Sequence, residues 1–239
     1  IGDVCLIGYS GGKLAFYMYS EKMSQLSVSV IKGQVYNLYA LANVGRIDPP
    51  ADESGFINDY AYKVDSVADM DSRIPFSWRM AGLYVGDAMT LKVEMSRMVA
   101  RVWFSIDSSA LSGLEVTDVR LCQMPLVMKP FADDGSKAEH VSDVGSGDWA
   151  TEADIDRINA GGSACFYTLE NCQGKLLPEN SDPWEKVPYR IPGVSELCTY
   201  LELDCVFEDG AEYGGKVTYR LYLGDDNVTD FNVRRNSEL

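Results

Sequence analysis

Alternation of apolar and polar residues along the C-terminal run Leu197–Asn236 constrains this chain more than any other feature. Thr199, Leu201 and Leu203 alternate with Tyr200, Glu202 and Asp204. Val217, Tyr219, Leu221 and Leu223 repeat the pattern beyond a turn rich in Glu, Asp and Gly. Successive strand side chains point to opposite faces, so this spacing predicts two long half-buried strands, Cys198–Phe207 and Lys216–Leu223. A polar loop, Gly224–Asp230, follows, and Phe231–Val233 begins another extended piece. The run is a scaffold element with no catalytic geometry.

The rest of the chain reads the same way. Asp3–Tyr9 and Lys13–Tyr19 flank Ser10-Gly11-Gly12, whose glycines supply the positive φ a tight hairpin requires. A phosphate loop needs a glycine, four further residues, then Gly-Lys and Ser or Thr; Ile7 and Leu14 stand at the first and last of these places instead. Leu26–Ile31, Val35–Ala42, Leu83–Val85, Met89–Met95 and Arg97–Ile106 are expected as strands. Phe56, Tyr60, Val64 and Val67 recur at helical spacing, predicting a short helix over 56–70. Ser108–Gly113 is the best boundary between domains, and Glu115–Val127 restarts the alternation. Lys129–Gly147 reads as polar and flexible. Thr151 with Asp154 opens a short helix that Gly161-Gly162 stops. Pro178–Pro192, with four prolines and Trp184, is expected as a long ordered loop.

Many short strands between Gly and Pro turns, with one or two short helices, predict an all-β chain of two antiparallel β-sandwich domains, 1–112 and 113–239. A hydrophobic fraction of 46% supplies enough apolar surface for both cores. The net charge of −15 repels nucleic acid and anionic bilayers, so nucleic acid is not an expected partner. No run is long enough for a spanning helix.

Catalysis finds little to work with. His140, the only histidine, lies in a polar loop, no G-x-S-x-G occurs, and no Cys-x-x-Cys pair is present. No enzyme, no cofactor and no bound metal are expected. Asp65, Asp69 and Asp71, and again Asp225, Asp226 and Asp230, lack the glycine and terminal glutamate of a calcium loop and read as solvated acidic faces. The six cysteines permit disulfides in an exported protein, but several sit in apolar strands, where free Cys is a small buried hydrophobe. Trp78, Trp103 and Trp184 are candidates for a ligand platform, since an indole face stacks on sugar rings. For Trp103 the competing reading is a strand covered on both faces.

Five segments in order resemble the fimbrillin-like surface proteins of the Bacteroidales, the type V pilin superfamily: VYNLYALANVG (35–45), IPFSWRMAG (74–82), LKVEMSRMVARVWFSI (91–106), CFYTLEN (165–171), and YLE, YRLYLG, FNV and RRN between 200 and 236. The resemblance implies transthyretin-like sandwiches and a structural or adhesive fimbrial subunit. It implies an outer-membrane lipoprotein precursor at the cell surface whose first strand an Arg-specific protease removes. The groove left behind would take a strand from the next pilin subunit, by β-augmentation. Members carry a strand before the segment matching Asp3–Tyr19 and more strands after that matching Arg235-Asn236, so this chain is expected to be trimmed at both ends. Val4, Leu6, Leu14, Phe16, Phe231 and Val233 are the expected subunit-contact residues. Partners are then other pilin subunits and, for an adhesin, a host glycan or protein. The alternative is a free-standing surface module that binds carbohydrate or a host protein.

Overall fold

A computed structural model describes residues 2–22, 25–107, 113–209 and 213–239. The first strands are β1 (Val4–Ser10), β2 (Lys13–Ser20) and β3 (Gln34–Ala42), followed by helix α1 (Glu53–Asp59) and the two-residue β4 (Tyr62–Lys63). A single helical turn, α2 (Asp69–Ser72), precedes β5 (Phe76–Val85), β6 (Ser96–Arg97) and β7 (Val99–Ser105). Then come β8 (Leu114–Pro125), β9 (Val127–Met128), β10 (Val144–Asp148), α3 (Glu152–Asn159), β11 (Ser163–Leu169) and β12 (Asn171–Lys175). The chain ends with β13 (Tyr200–Asp209), β14 (Tyr213–Tyr222) and β15 (Asp230–Val233). It is all-β with short helices, and every paired strand with a described register is antiparallel.

Two compact units emerge. One comprises Ile1–Tyr62, Arg73–Met98 and Lys129–Gly135, the other Lys63–Ser72, Val99–Met128 and Ser136–Leu239. This division differs from a cut at 112/113. Strand β7 belongs to the second unit because it pairs along its whole length with β11, from Val99↔Leu169 to Ser105↔Ser163. The Ser/Gly break itself falls mostly outside the described residues.

The first unit is built on one sheet of order β2-β1-β3-β5-β6. Gly11 and Gly12, at φ 55° and 75°, close the β1–β2 hairpin. The register sets Cys5 opposite Leu41 and Ile7 opposite Tyr39 on one face. Phe56 of α1 packs there, 5.6 Å from the Tyr9 ring and 5.2 Å from those of Tyr39 and Phe131. Phe131 is buried, so the segment 129–135 is an anchored part of this core and not a free polar stretch.

The expected helix over 56–70 is replaced by two separate pieces. Asp52 caps α1 through its side chain, accepting from Gly55 N–H at 2.7 Å, and the helix ends at Asp59. Val64 then donates its N–H to Leu126 O in the second unit. The apolar residues that looked like one helical face therefore serve two cores.

The second unit has the sheet β10-β8-β13-β14 and the pairs β7–β11 and β12–β15. Val119, Leu121, Leu201, Leu203 and Cys205 form its buried face. Helix α3 starts where expected, Thr151 and Asp154 capping each other reciprocally. Its Ile158 is fully buried, and Asn159 holds β8 by accepting from Val116 N–H at 2.9 Å and donating to Val116 O at 2.9 Å.

Two segments with strand patterns join no sheet. Residues 25–31 and 86–95 make no backbone–backbone hydrogen bond to any described residue.

Candidate functional site

Those two segments and the second face of the first unit's sheet line a cavity. Register places Val4, Leu6 and Gly8 of β1 opposite Ala42, Ala40 and Leu38 of β3, and Trp78 of β5 opposite Ala40. Across the other edge Phe16 of β2 faces Gly8. All lie on one face, and Val4, Leu6, Phe16, Leu38, Ala40 and Trp78 line a cavity of about 670 Å³. Leu26, Val28 and Val30, and Met89, Leu91, Val93 and Met95, also line it.

Neither wall segment has a strand's pairing, and only the first keeps a strand's period of two in its burial. Leu26, Val28 and Val30 are half-buried while Gln25, Ser27 and Ser29 are exposed. Met89, Leu91 and Val93 remain 52%, 37% and 38% exposed despite facing the cavity. The apolar pattern is that of a second sandwich layer, and among the described residues its main chain makes no ladder; the main chain of Ile31 instead bonds the Tyr36 hydroxyl, donating its N–H at 2.9 Å and accepting at its C=O.

Glycine at position 8 makes room for the floor. A Cβ there would come within 2.2 Å of a Phe16 ring carbon, so the ring would have to move. That ring sits 6.4 Å from the Tyr36 ring, and both line the cavity.

Three of the six expected contact residues, Val4, Leu6 and Phe16, meet here, and Trp78 joins them. Leu14 does not line the cavity; its N–H donates to Ala51 O at 2.8 Å. Phe231 and Val233 lie in the second unit, fully buried in β15, and do not line it either. The sequence reading missed Leu26, Val28, Val30, Met89, Leu91 and Val93 as site residues. Their alternation was the available signal.

The tryptophans do not form one platform. Trp78 is half-buried in the cavity wall, whereas Trp103 is 50% and Trp184 83% exposed in the second unit, with no ring contact between them among the described residues. Met98, Ala100, Val102 and Phe104 are buried as the alternation required. The opposite side of β7 is open at Trp103, against the expectation of cover on both faces. Beside it the Arg101 guanidinium lies 6.0 Å from the Trp103 ring centre and 5.8 Å from that of Tyr167.

Polar groups elsewhere are committed to structure. Asp69 accepts from the N–H groups of Asp65 and Ser66 at 3.0 and 2.8 Å, and Asp226 accepts from those of Val228, Thr229 and Asp230. Hydrogen bonds from the Thr229 hydroxyl and these amides hold the Asp226 carboxyl well below its ordinary range. His140 donates its backbone N–H to Asp143 at 2.8 Å in an exposed turn. All six cysteines are free thiols, and burial pushes Cys198 up to about 12 and Cys172 to about 11.

Two of the short motifs meet in the second unit. Glu170 of Leu169-Glu170-Asn171 accepts from Arg235 Nε at 3.0 Å, from Arg235 Nη2 at 2.5 Å and from Ser136 N–H at 2.9 Å. Fully buried Asn171 donates to Leu197 O and Thr199 Oγ1 and accepts from Ala138 N–H. Both residues are structural clamps.

The family model that matches, described as "Domain of unknown function (DUF4906)", covers residues 166–239. Among curated proteins nothing matches the chain. Three solved structures are similar over most of their length. A fimbrial assembly protein from Parabacteroides distasonis is 10% identical with a TM-score of 0.47, covering 100% of this chain and 81% of its own. A candidate cell adhesion protein from Bacteroides uniformis is 8% identical with a TM-score of 0.47, covering 99% and 83%. A candidate adhesin from Bacteroides thetaiotaomicron is 11% identical with a TM-score of 0.42, covering 92% and 72%. TM-scores below 0.5 mark these as loose likenesses that carry no functional weight.

Proposed function

We propose that the chain is a non-enzymatic structural or adhesive subunit of a cell-surface fimbria, and that its first unit accepts an extended strand from another subunit. One observation carries the reading: two strand-patterned segments, 25–31 and 86–95, stand without ladder partners over an apolar cavity of about 670 Å³. A strand laid between them would give both a partner and fill the cavity with alternate side chains. The motif resemblance supplies the class of partner, another pilin subunit, and with it the cell surface, the lipoprotein precursor and assembly by strand donation.

Amide hydrogen exchange tests this directly. Residues 25–31 and 86–95 should exchange fast in the isolated chain and become protected in assembled fibres, or on adding an extended peptide of eight to ten residues with Val or Ile at alternate positions. That peptide should raise the melting temperature, and Leu6→Glu in the cavity floor should abolish the rise. Slow exchange of both segments in the isolated chain, with no peptide effect, would sink the reading.

The second reading, a free-standing module for carbohydrate or a host protein, is favoured by exposed Trp103 beside Arg101 and Tyr167. Glycan-array binding lost in Trp103→Ala would support it.

A further inference from the structure

Strand β14 forms the free edge of the second unit's sheet and pairs only with β13. It runs ten residues with an unbroken register, from Asp209↔Tyr213 to Tyr200↔Tyr222. It carries no proline and no bulge, so of the usual edge-protecting devices it has only its charges, Lys216 and Arg220. Its apolar face is also uncovered. Leu201 and Leu203 on β13 are buried at 2%, yet Leu221 and Tyr219 directly opposite are 42% and 37% exposed. The sheet extends one strand further than the core beneath it.

The other face carries a charge pattern that names the missing neighbour. On β13 that row is acidic, Glu202 and Asp204; on β14 it is basic, Lys216 and Arg220. Arg220 donates to Glu202 at 2.8 Å, but Arg120 on β8 shares the same carboxylate. Lys216 has no ion pair among the described residues and is exposed. Sign thus alternates between β13 and β14, and in a chain of net charge −15 the outermost strand presents cations. A second copy paired about Thr218 would bring lysine against arginine, which is unfavourable.

We propose that β14 is a second strand-docking edge, whose partner is an extended segment of another protein with acidic residues at alternate positions and apolar residues between them. The acidic row meets Lys216 and Arg220, and the apolar row covers Val217, Tyr219 and Leu221. This edge is separate from the cavity of the first unit and does not depend on how that cavity is filled.

The chain's own β13 already has the required pattern, so a peptide copying residues 200–209 with Cys205 as serine is a suitable probe. Titrated as a monomer into ¹⁵N-labelled protein, it should shift the amides of 214–222. Lys216→Glu, at an exposed site, should weaken binding several-fold, as should lysines in place of the peptide's Glu202 and Asp204 counterparts. Three results would overturn the proposal: no shift along 214–222, equal binding of the charge-reversed peptide, or a dimer of the chain alone that protects the same amides.

Discussion

Replacing Glu170 by alanine should be among the most damaging single changes in the second unit, and its size follows from what the carboxylate holds. The side chain is 6% exposed and accepts from the Arg235 guanidinium, Arg235 N–H and Ser136 N–H. Removing it takes an acceptor from two main-chain donors and from one cation. A hydrogen bond to a charged group contributes about 1.5–3 kcal/mol, and a buried donor left alone costs about 1–3. Breaking a fully buried pair would cost about 3–5 kcal/mol. Arg235 keeps 21% of its side chain in water and can recruit solvent, which favours the lower end, about 3 kcal/mol. For a chain of this size that lowers the midpoint by about 6–12 °C. Calorimetry of Glu170→Ala, Arg235→Met and the double variant measures it, with Glu170→Gln as the milder control. The double variant should lose less than the sum of the singles. Additive losses, or a Glu170→Ala penalty under about 1 kcal/mol, would show that the clamp is ornamental.

Other outcomes are equally specific. Gly8→Val should displace the Phe16 ring into the cavity and cost about 1–3 kcal/mol, while Gly8→Ala costs less; a crystal structure with Phe16 unmoved would refute the packing account. Native thiols should react with Ellman's reagent in order of access, with Cys198 last because burial raises its pKa to about 12, and all six should react after denaturation. Asp226 has a folded-state pKa held below its unfolded value of about 3.9, so its contribution is complete above about pH 4 and fades as pH falls further. Asp226→Asn should flatten that acid dependence and speed amide exchange at 228–230; an unchanged acid profile would contradict the capping geometry.

Local chemistry made some elements readable. Ser10-Gly11-Gly12 fixed one hairpin, and Thr151 with Asp154 fixed the start of α3, because a turn or a cap is encoded within four residues. The helix expected over 56–70 was misread because Phe56 and Val64 serve different cores, a fact that no local spacing contains. Phe131, alone in a polar stretch, was the signal that 129–135 is anchored. The site itself was half legible. Val4, Leu6 and Phe16 follow from the hairpin, and register then carries Trp78 to the same face. For 26–31 and 89–95 the period of two led to expected strands, and their apolar residues do line the cavity, yet no ladder formed. Alternation encodes the face a side chain takes, set by burial; pairing depends on a neighbour at about 4.8 Å with open main-chain groups. Where a strand-like pattern meets an apolar wall but no neighbour, the mismatch between pattern and pairing is what motivates the proposal that an added strand docks there.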